Sequence, residues 1–342
     1  MDIQSVGEAY IRPGQILTDR SALSAASRWT QAVAEADGVC VVHLSDGADP
    51  CEITNELREQ GFRASPNHVL SGQPLFFGGP ASRPFPTPPI SFKPGPGRSG
   101  RDRSDVVVGL LDTGVAKHPW WSGTDWYARL GPDEADATEG EQAGHGTFIA
   151  GLLVRQAPGA ALRVRRVLGG DGIGDEAGVV RALNRLRDDP PQVLNLSFGC
   201  HSFDDRPPPL LADAVAALSD TVTVACAGNT ASDRPFWPAA LPCAVGVAAV
   251  DGTERHRAPF SGFGTWVDAC ASGDWLDSSY LDLGEFRGYA AWSGTSFASA
   301  LVAGAIADAA RHEPAKEAAA RMLDPEGSRQ IPDLGVLVPT SL

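Results

Sequence analysis

The sequence predicts an α/β fold in which a three-layer α/β/α domain with a mostly parallel central sheet follows a small N-terminal α/β module. Five continuously apolar segments alternate with helical patterns through the later part of the 342-residue chain. A segment rich in proline and glycine separates them from the first part. Strands covered on both faces are apolar throughout, so their alternation with helices indicates a parallel sheet between two helical layers.

The N-terminal module is expected to occupy residues 1–78. Asp49 followed by Pro50 is typical of a helix start, and Gly61 is typical of a helix end. The predicted elements are a helix over Thr18–Ala36, a strand over Val39–Leu44, a helix from Glu52 to Gln60 and an extended segment over residues 62–70.

Residues 79–104 are predicted to form a linker. Proline and glycine recur between Gly78 and Gly100, and proline cannot donate a backbone hydrogen bond to a sheet. We therefore expect an extended, partly polyproline segment here, followed by the main domain over residues 105–342.

The main domain carries the alternating pattern. Its predicted strands are Val106–Leu111, Leu162–Leu168, Gln192–Ser197, Val222–Ala227 and Ala244–Val250, and its predicted helices are Gly146–Val154, Asp175–Arg187 and Leu210–Leu218. Functional sites in such sheets form at the carboxyl ends of the strands. Asp112 directly follows the first strand and is therefore a candidate site residue.

Charge and composition narrow the classes of partner. A formal net charge of -14 argues against binding to nucleic acid or to an anionic membrane. The N-terminal residues show no basic segment followed by an apolar run, so we expect a cytoplasmic protein, or a secreted one if the sequence is a piece of a longer chain. The six cysteines lack Cys-x-x-Cys spacing, which favours reduced thiols and indicates no metal site.

Three glycine-flanked segments carry the groups that could do chemistry. Asp112 lies before Thr113-Gly114, His145 lies between two glycines, and Ser296 follows Gly294-Thr295. Taken singly, each could be a turn or cap residue. Together they supply a carboxylate, an imidazole and a hydroxyl, which is the set that turns a serine into a nucleophile at neutral pH.

From about Asp105 to about Arg311 the chain resembles the subtilisin-like serine peptidases, the subtilases. The resemblance implies the subtilisin-like form of the α/β/α fold. The matching segments are Asp112-Thr113-Gly114-Val115, Gly144-His145-Gly146-Thr147, residues 167–174, Asn195-Leu196-Ser197-Phe198-Gly199, Ala225-Cys226-Ala227-Gly228-Asn229 and Gly294-Thr295-Ser296.

The resemblance implies a role for each matching residue. Ser296 would be the nucleophile, His145 the general base and acid, and Asp112 the residue that orients His145. Asn229 would donate its side-chain amide to the oxyanion. The peptide or protein substrate would pair as a strand with the edges and pocket formed by Gly170, Gly172, Gly174, Ser197, Phe198, Gly199, Ala227, Gly228 and Phe236.

The sequence also has features that bear on specificity, packing and metal dependence within this resemblance. Phe236 would fill the pocket floor, so we expect a preference for a small residue before the scissile bond. The same resemblance implies a cis peptide at Trp237-Pro238. Ser299-Ala300-Leu301 replaces the family's usual Ser-Pro-His, for which we expect altered packing and retained catalysis. The chemistry needs no cofactor, while the family's usual calcium-site residues are not recognisable.

The N-terminal module resembles the pro-segment of this family, because Ser65-Pro66-Asn67-His68-Val69-Leu70 is similar to its last strand. The module would then be an intramolecular partner that restrains a serine endopeptidase, which could process a dedicated precursor. Two alternatives remain. The same acyl-enzyme could react with an amine, as in a transpeptidase or macrocyclase, or the chain could be a non-catalytic peptide-binding protein.

Overall fold

The computed structural model describes residues 2–72, 83–92, 106–131, 135 and 139–340. The predicted domain boundaries at residues 78/79 and 104/105 lie outside the described residues. Within the described residues the chain forms an antiparallel sheet near the N-terminus, a large and mostly parallel sheet, and a small third sheet.

The N-terminal module is an antiparallel sheet with helices on one face. Its elements are β1 (Gln4–Val6), β2 (Ala9–Thr18), α1 (Leu23–Ala26), β3 (Thr30–Ala36), β4 (Val39–Leu44), α2 (Pro50–Glu59) and β5 (Ala64–Ser71). The strand order is β3-β4-β2-β5, with β1 paired to β2. The Asp49 side chain caps α2 by accepting from the Cys51 and Glu52 backbone N–H groups. Leu57 and Ile53 of α2 pack onto Ile16 and Val42 of the sheet.

The helix predicted over Thr18–Ala36 is wrong. The segment contains only short helical turns, and Thr30–Ala36 forms β3, paired antiparallel to β4. Its alanines gave it a helical appearance. Pairing with a neighbouring strand overrides such a local propensity, which is a weak determinant of structure.

The large sheet confirms the α/β prediction. Its strands are β7 (Val107–Asp112), β8 (Ala161–Arg166), β10 (Val193–Leu196), β11 (Val222–Cys226), β12 (Ala244–Val250), β13 (Ala269–Ser272), β16 (Gln330–Ile331) and β17 (Gly335–Leu337). Their order is β16-β17-β13-β12-β11-β10-β7-β8, and every pairing except β16 with β17 is parallel.

Helices cover both faces of this sheet. The remaining elements are α3 (Asp125–Ala128), α4 (His145–Gln156), β9 (Ile173–Asp175), α5 (Glu176–Leu186), α6 (Pro209–Ala216), β14 (Leu276–Ser279), β15 (Tyr289–Trp292), α7 (Thr295–Ala309) and α8 (Ala315–Met322). One buried cluster joins the sheet to α4 and α7, and a second joins it to α5 and α6. Two separate cores on opposite faces define the three-layer arrangement.

Residues 83–92, which we call the strap, lie against the main domain. Within the strap, β6 (Phe85–Pro86) pairs antiparallel with β15. The ring of Phe85 lies 5.2 Å from that of Trp275, and the ring of Phe92 lies 5.1 Å from that of Trp120, centroid to centroid. This part of the predicted linker is therefore extended and attached to the main domain.

The N-terminal module joins the main domain through a shared sheet. Strand β5 pairs antiparallel with β9, which precedes α5. The sheet of the module thus continues into an edge of the main domain. No helix in the described ranges is both long enough and apolar enough to cross a membrane.

Candidate active site

Asp112 and His145 form a buried pair at the carboxyl end of strand β7. The Nδ1 atom of His145 lies 2.8 Å from Asp112 Oδ1, which also accepts the Thr113 backbone N–H at 2.8 Å. Glycine at position 146 allows α4 to approach, because a Cβ there would clash with the Gly114 carbonyl oxygen. A carboxylate only accepts hydrogen bonds, so Nδ1 carries the hydrogen and Nε2 is the basic nitrogen of the neutral ring.

Ser296 is the second residue of α7 and is fully buried. The first backbone N–H groups of a helix lack partners within it and give that end a partial positive charge. The Ser296 hydroxyl donates to the Gly72 carbonyl oxygen at 3.0 Å and lies 3.1 Å from the Ser197 carbonyl oxygen. The Ser197 hydroxyl in turn donates to the Ser296 carbonyl at 2.8 Å, which fixes the start of the helix.

His145 and Ser296 both contact the tail of the N-terminal module. A Cβ on Gly72 would lie 3.0 Å from His145 Cε1, so the tail lies directly against the ring. Trp292 and Phe297 enclose the ring at centroid distances of 5.5 and 5.6 Å. Among the described residues, His145 Nε2 has no hydrogen-bond partner. The module therefore accepts the serine hydrogen that the imidazole could otherwise take.

The Asn229 side chain is oriented by Thr295. Its Oδ1 atom accepts the Thr295 backbone N–H at 2.8 Å and the Thr295 hydroxyl at 2.9 Å. Because the oxygen is used in this way, the NH₂ end of the amide is the end that can donate. Asn229 also lines a small pocket together with Ser71 and Gly72, so the amide lies beside the bound tail.

The tail of the module occupies a cleft between two edges of the main domain. Ser71 lies opposite Ile173 of β9 and forms an antiparallel bridge with Gly199. The Ser71 N–H donates to the Gly199 carbonyl at 3.0 Å, and the Gly199 N–H donates to the Ser71 carbonyl at 3.1 Å. One residue further, the Gly72 N–H donates to the Gly172 carbonyl at 3.1 Å. An extended peptide is thus held on both sides, up to Ser296.

Phe236 fills the pocket beside the tail. Its ring lies so close to Gly199 and Gly228 that a Cβ on either glycine would clash or be crowded. The remaining cavity has a volume of about 30 Å³ and is lined by Phe236, Cys226 and the tail. Burial raises the pKa of the Cys226 thiol to about 11, so it stays protonated at neutral pH.

The predicted substrate-binding residues lie in different environments. Gly172, Gly174 and Gly199 pair with the tail, Ser197 contacts Ser296, and Gly228 and Phe236 form the small pocket. Three others contact further parts of the main domain. The Gly170 carbonyl accepts the Gln142 N–H at 2.9 Å, the Ala227 N–H donates to the Val247 carbonyl at 2.8 Å, and Phe198 belongs to a buried core.

Ionic and polar contacts join the module to the main domain beyond the cleft. His68 Nδ1 lies 2.7 Å from Glu176 Oε2, and the Ser65 hydroxyl donates to Glu176 Oε1 at 2.7 Å, with all three side chains buried. Arg58 pairs with Asp204 at 2.7 Å. These contacts and the position of Gly72 were not predicted. The resemblance of residues 65–70 to a last pro-segment strand was the only signal in the sequence that could have located them.

The cysteines and the potential metal-binding side chains of the described residues are dispersed. No group of three or more His, Cys, Asp or Glu side chains in these ranges is arranged to hold a metal ion. All six cysteines lie within the described ranges, are unpaired, and include four that are buried.

Comparisons with known proteins match the main domain. The profile of the subtilase family matches residues 103–326. Subtilisin BL of Lederbergia lenta is 34% identical over 223 residues, which are 61% of this chain and 77% of that protein. Thermitase of Thermoactinomyces vulgaris is 32% identical over 216 residues, covering 59% of this chain and 73% of thermitase.

A solved structure supports the fold. The crystal structure of a cold adapted subtilisin-like serine proteinase matches with a TM-score of 0.58 and 24% identity, covering 70% of this chain and 90% of that one. The fold and the relatives together define a serine-type endopeptidase, a hydrolase of peptide bonds. More particularly, the chain belongs to the subtilase family, as predicted from its motifs.

Proposed function

We propose that this peptidase acts through an acyl-enzyme on Ser296, with Asp112, His145 and Asn229 as its other catalytic residues, and that its N-terminal module restrains it. The observation that carries the proposal is the Ser296 hydroxyl 3.0 Å from the Gly72 carbonyl of a strand held on two edges. The substrate would be a peptide or protein bound in that extended form. Processing of a dedicated precursor would suit an enzyme restrained in this way.

The proton transfers follow from the hydrogen bonds of the site. With the module displaced, the Ser296 hydroxyl gives its hydrogen to His145 Nε2 as its oxygen attacks the scissile carbonyl. The imidazolium then protonates the leaving amine, and Asp112 stabilises it through the 2.8 Å contact at Nδ1. Water repeats the sequence to release the acid and restore Ser296. Every step uses side chains of the protein, so the chemistry needs no cofactor.

Asn229 supports the negative charge that develops on the carbonyl oxygen. Thr295 holds the amide in place through its oxygen, so the NH₂ group is oriented before the reaction. Fixed donors of this kind stabilise the transition state more than the substrate. The N-terminal end of α7 adds a partial positive charge on the same side.

The module restrains the enzyme by occupying the cleft and by accepting the Ser296 hydrogen. A cut after Gly72 and before Arg83 would separate the module from the main domain and leave the strap attached to β15. The small pocket beside Phe236 supports a preference for a small residue before the scissile bond.

Intact-mass analysis of wild type and Ser296→Ala tests this function. We expect a wild-type cut between Gly72 and Arg83 and an uncut variant.

A fluorophosphonate probe should label Ser296 in wild type. The control is Ser278→Ala, which removes a buried serine whose hydroxyl donates to the Phe148 carbonyl oxygen, and it should be labelled as strongly as wild type. Added peptides should yield free acids, whereas products joined to an amine would indicate transpeptidation. A wild-type protein that is not labelled by the probe and hydrolyses no peptide would contradict the proposed function.

A further inference from the structure

A buried carboxylate lies at the edge of the cleft, outside the groups that do the chemistry. Glu176 is the first residue of α5 and directly follows β9, the strand that pairs with the module. Its side chain is fully buried. Among the described residues, its side-chain hydrogen bonds come from His68 and Ser65, at 2.7 Å each. Both partners belong to β5, the strand that ends in the cleft.

The register of β5 against β9 fixes which position of a bound strand meets Glu176. Val69 lies opposite Asp175 and Leu70 opposite Gly174, while Ser71 lies opposite Ile173 and also bridges Gly199. A substrate strand held by the same two edges would have the same register. Its residue three positions before the one bridged to Gly199 would therefore occupy the place of His68.

We propose that Glu176 is a specificity-determining residue that selects substrates with a hydrogen-bond donor at this position and rejects acidic ones. The inference rests on the proposed function, because it treats β5 as occupying the substrate cleft. A buried carboxylate has lost much of its hydration, and this loss costs free energy unless a hydrogen-bond donor replaces the water. A donor side chain at this position replaces it, whereas an apolar side chain does not. An acidic side chain would put a second carboxylate within hydrogen-bond distance, where like charges repel.

Two further carboxylates of the main domain also face basic side chains of the module. Asp175, one residue earlier, lies 3.5 Å from the Arg12 guanidinium of the module. Asp204 accepts from Arg58 of the module at 2.7 Å. At these two positions the main domain presents carboxylates to basic side chains of the module, which favours donors and cations over acids near Glu176. Farther away the polarity is reversed, since Arg185 pairs with Asp37 and Arg234 with Glu8 of the module.

The first test uses the full chain with Ser296→Ala, so that no cleavage occurs. His68 is replaced in turn by Asn, Asp and Leu. Asn places a donor near the position of Nδ1, Asp has the same shape as Asn but carries a carboxylate, and Leu is apolar. Each is combined with Glu176 or with Glu176→Gln, and amide hydrogen exchange of β9 is followed at pH 7. We expect Asn to keep protection, while Leu and Asp accelerate exchange by about tenfold or more.

In Glu176→Gln the difference between Asn and Asp should disappear or reverse, because a glutamine side chain can donate to a carboxylate. Unchanged exchange in β10 would show that the main domain stays folded in every variant. Equal protection with Asn, Asp and Leu in the Glu176 background would overturn the proposal.

The second test measures hydrolysis of peptides by three proteins: the wild-type chain, Glu176→Gln and a control variant. The peptides copy residues 64–72, carry a chromogenic amine on the Gly72 carbonyl as the leaving group, and have Asn or Asp at the His68 position. Active sites are counted by fluorophosphonate labelling. Wild type should prefer Asn by about tenfold in kcat/KM, and Glu176→Gln should lose the preference. Asp213→Asn is the control, because Asp213 faces the module through Arg63 at 2.7 Å and should leave the preference unchanged.

The two tests separate the two ideas. Hydrolysis without any preference would overturn the role of Glu176 and leave the peptidase intact. Absence of hydrolysis would overturn the proposed function, and the exchange experiment would still decide whether Glu176 selects a donor.

Discussion

The hydroxyl of Ser296 donates to the carbonyl oxygen of Gly72 at 3.0 Å, across a sequence separation of 224 residues. The module therefore acts on the hydrogen that His145 would have to accept, in addition to filling the cleft. In the proposed mechanism, occupancy of the cleft by the module and activation of Ser296 therefore exclude one another. A change that weakens the seating of Gly72 should thus act on the reactivity of Ser296.

Gly72→Val should loosen the module from the cleft. Even one added carbon at this position would lie 3.0 Å from His145 Cε1, and a branched side chain needs more room. We expect fluorophosphonate to label Ser296 in the uncut variant several times faster than in uncut wild type, with the uncut chain separated by mass. Gly123→Val is the matched control, since a Cβ at Gly123 meets no atom within 4 Å. Equal labelling rates would contradict an inhibitory contact at Gly72.

Asn229→Ala should lower kcat by about 10²–10³ while changing KM little, because the amide acts on charge that appears in the transition state. Steady-state kinetics on a peptide checks this. Asn229→Asp separates two explanations, since it keeps an acceptor for Thr295 and removes the NH₂ donor. It should be as impaired as the alanine variant. Near-normal activity of Asn229→Asp would mean that Asn229 serves only to position Thr295.

Phe236→Ala should widen the small pocket and change selectivity. The Phe236 ring fills the space beside Gly199 and Gly228, and the cavity that remains beside the tail is small, at about 30 Å³. We expect the preference before the scissile bond to move from small residues toward Leu or Phe, by about tenfold or more in relative kcat/KM. A peptide library compared between wild type and variant measures the shift. A wild-type profile already dominated by Phe, Tyr or Leu would refute the expectation.

His118 should make the fold sensitive to acid. Burial lowers its pKa to about 4. Both ring nitrogens form hydrogen bonds, because Nδ1 accepts the Trp120 N–H and Nε2 donates to the Gly288 carbonyl at 3.1 Å. The unfolded state binds a proton near pH 6.5 and the folded state only near pH 4. The free energy of unfolding should therefore decrease as the pH falls through this window.

Urea unfolding in the Ser296→Ala background, which prevents self-digestion, measures this loss. His118→Gln keeps a donor for Gly288 and removes the titrating group, so its stability should fall less between pH 7 and pH 4.5. Identical pH dependence in the two proteins would assign the acid sensitivity to other groups.

The sequence predicted the parts of the structure that have strong local signals. Strands β7, β10, β11 and β12 were recognisable because strands buried on both faces are apolar throughout. Strand β13 consists of small residues over only four positions, Ala269–Ser272, and gave no such signal. The alanines of Thr30–Ala36 favoured a helix locally, although their pairing with β4 decides the outcome.

The site was predictable to the extent that it follows short motifs. Asp112, His145 and Ser296 could be recognised because each lies in a glycine-flanked segment that matches the subtilases. The contact between Gly72 and Ser296 and the pairing of His68 with Glu176 join distant parts of the chain. Such contacts depend on how β5 meets β9, and a register of that kind is set by tertiary structure and not by local pattern.

Under the proposed restraint by the module, the strap would affect the strength of inhibition. Residues 85–86 pair with β15 of the main domain, and the Gly72 carbonyl contacts Ser296 in the cleft. In the uncut protein, the segment between Gly72 and Phe85 therefore keeps the module covalently attached near the cleft. A short flexible covalent connection typically provides an effective concentration of about a millimolar, whatever the protein concentration. One cut in that segment would turn the module into an ordinary dissociable ligand. From then on, simple dilution would govern how much of the enzyme is free.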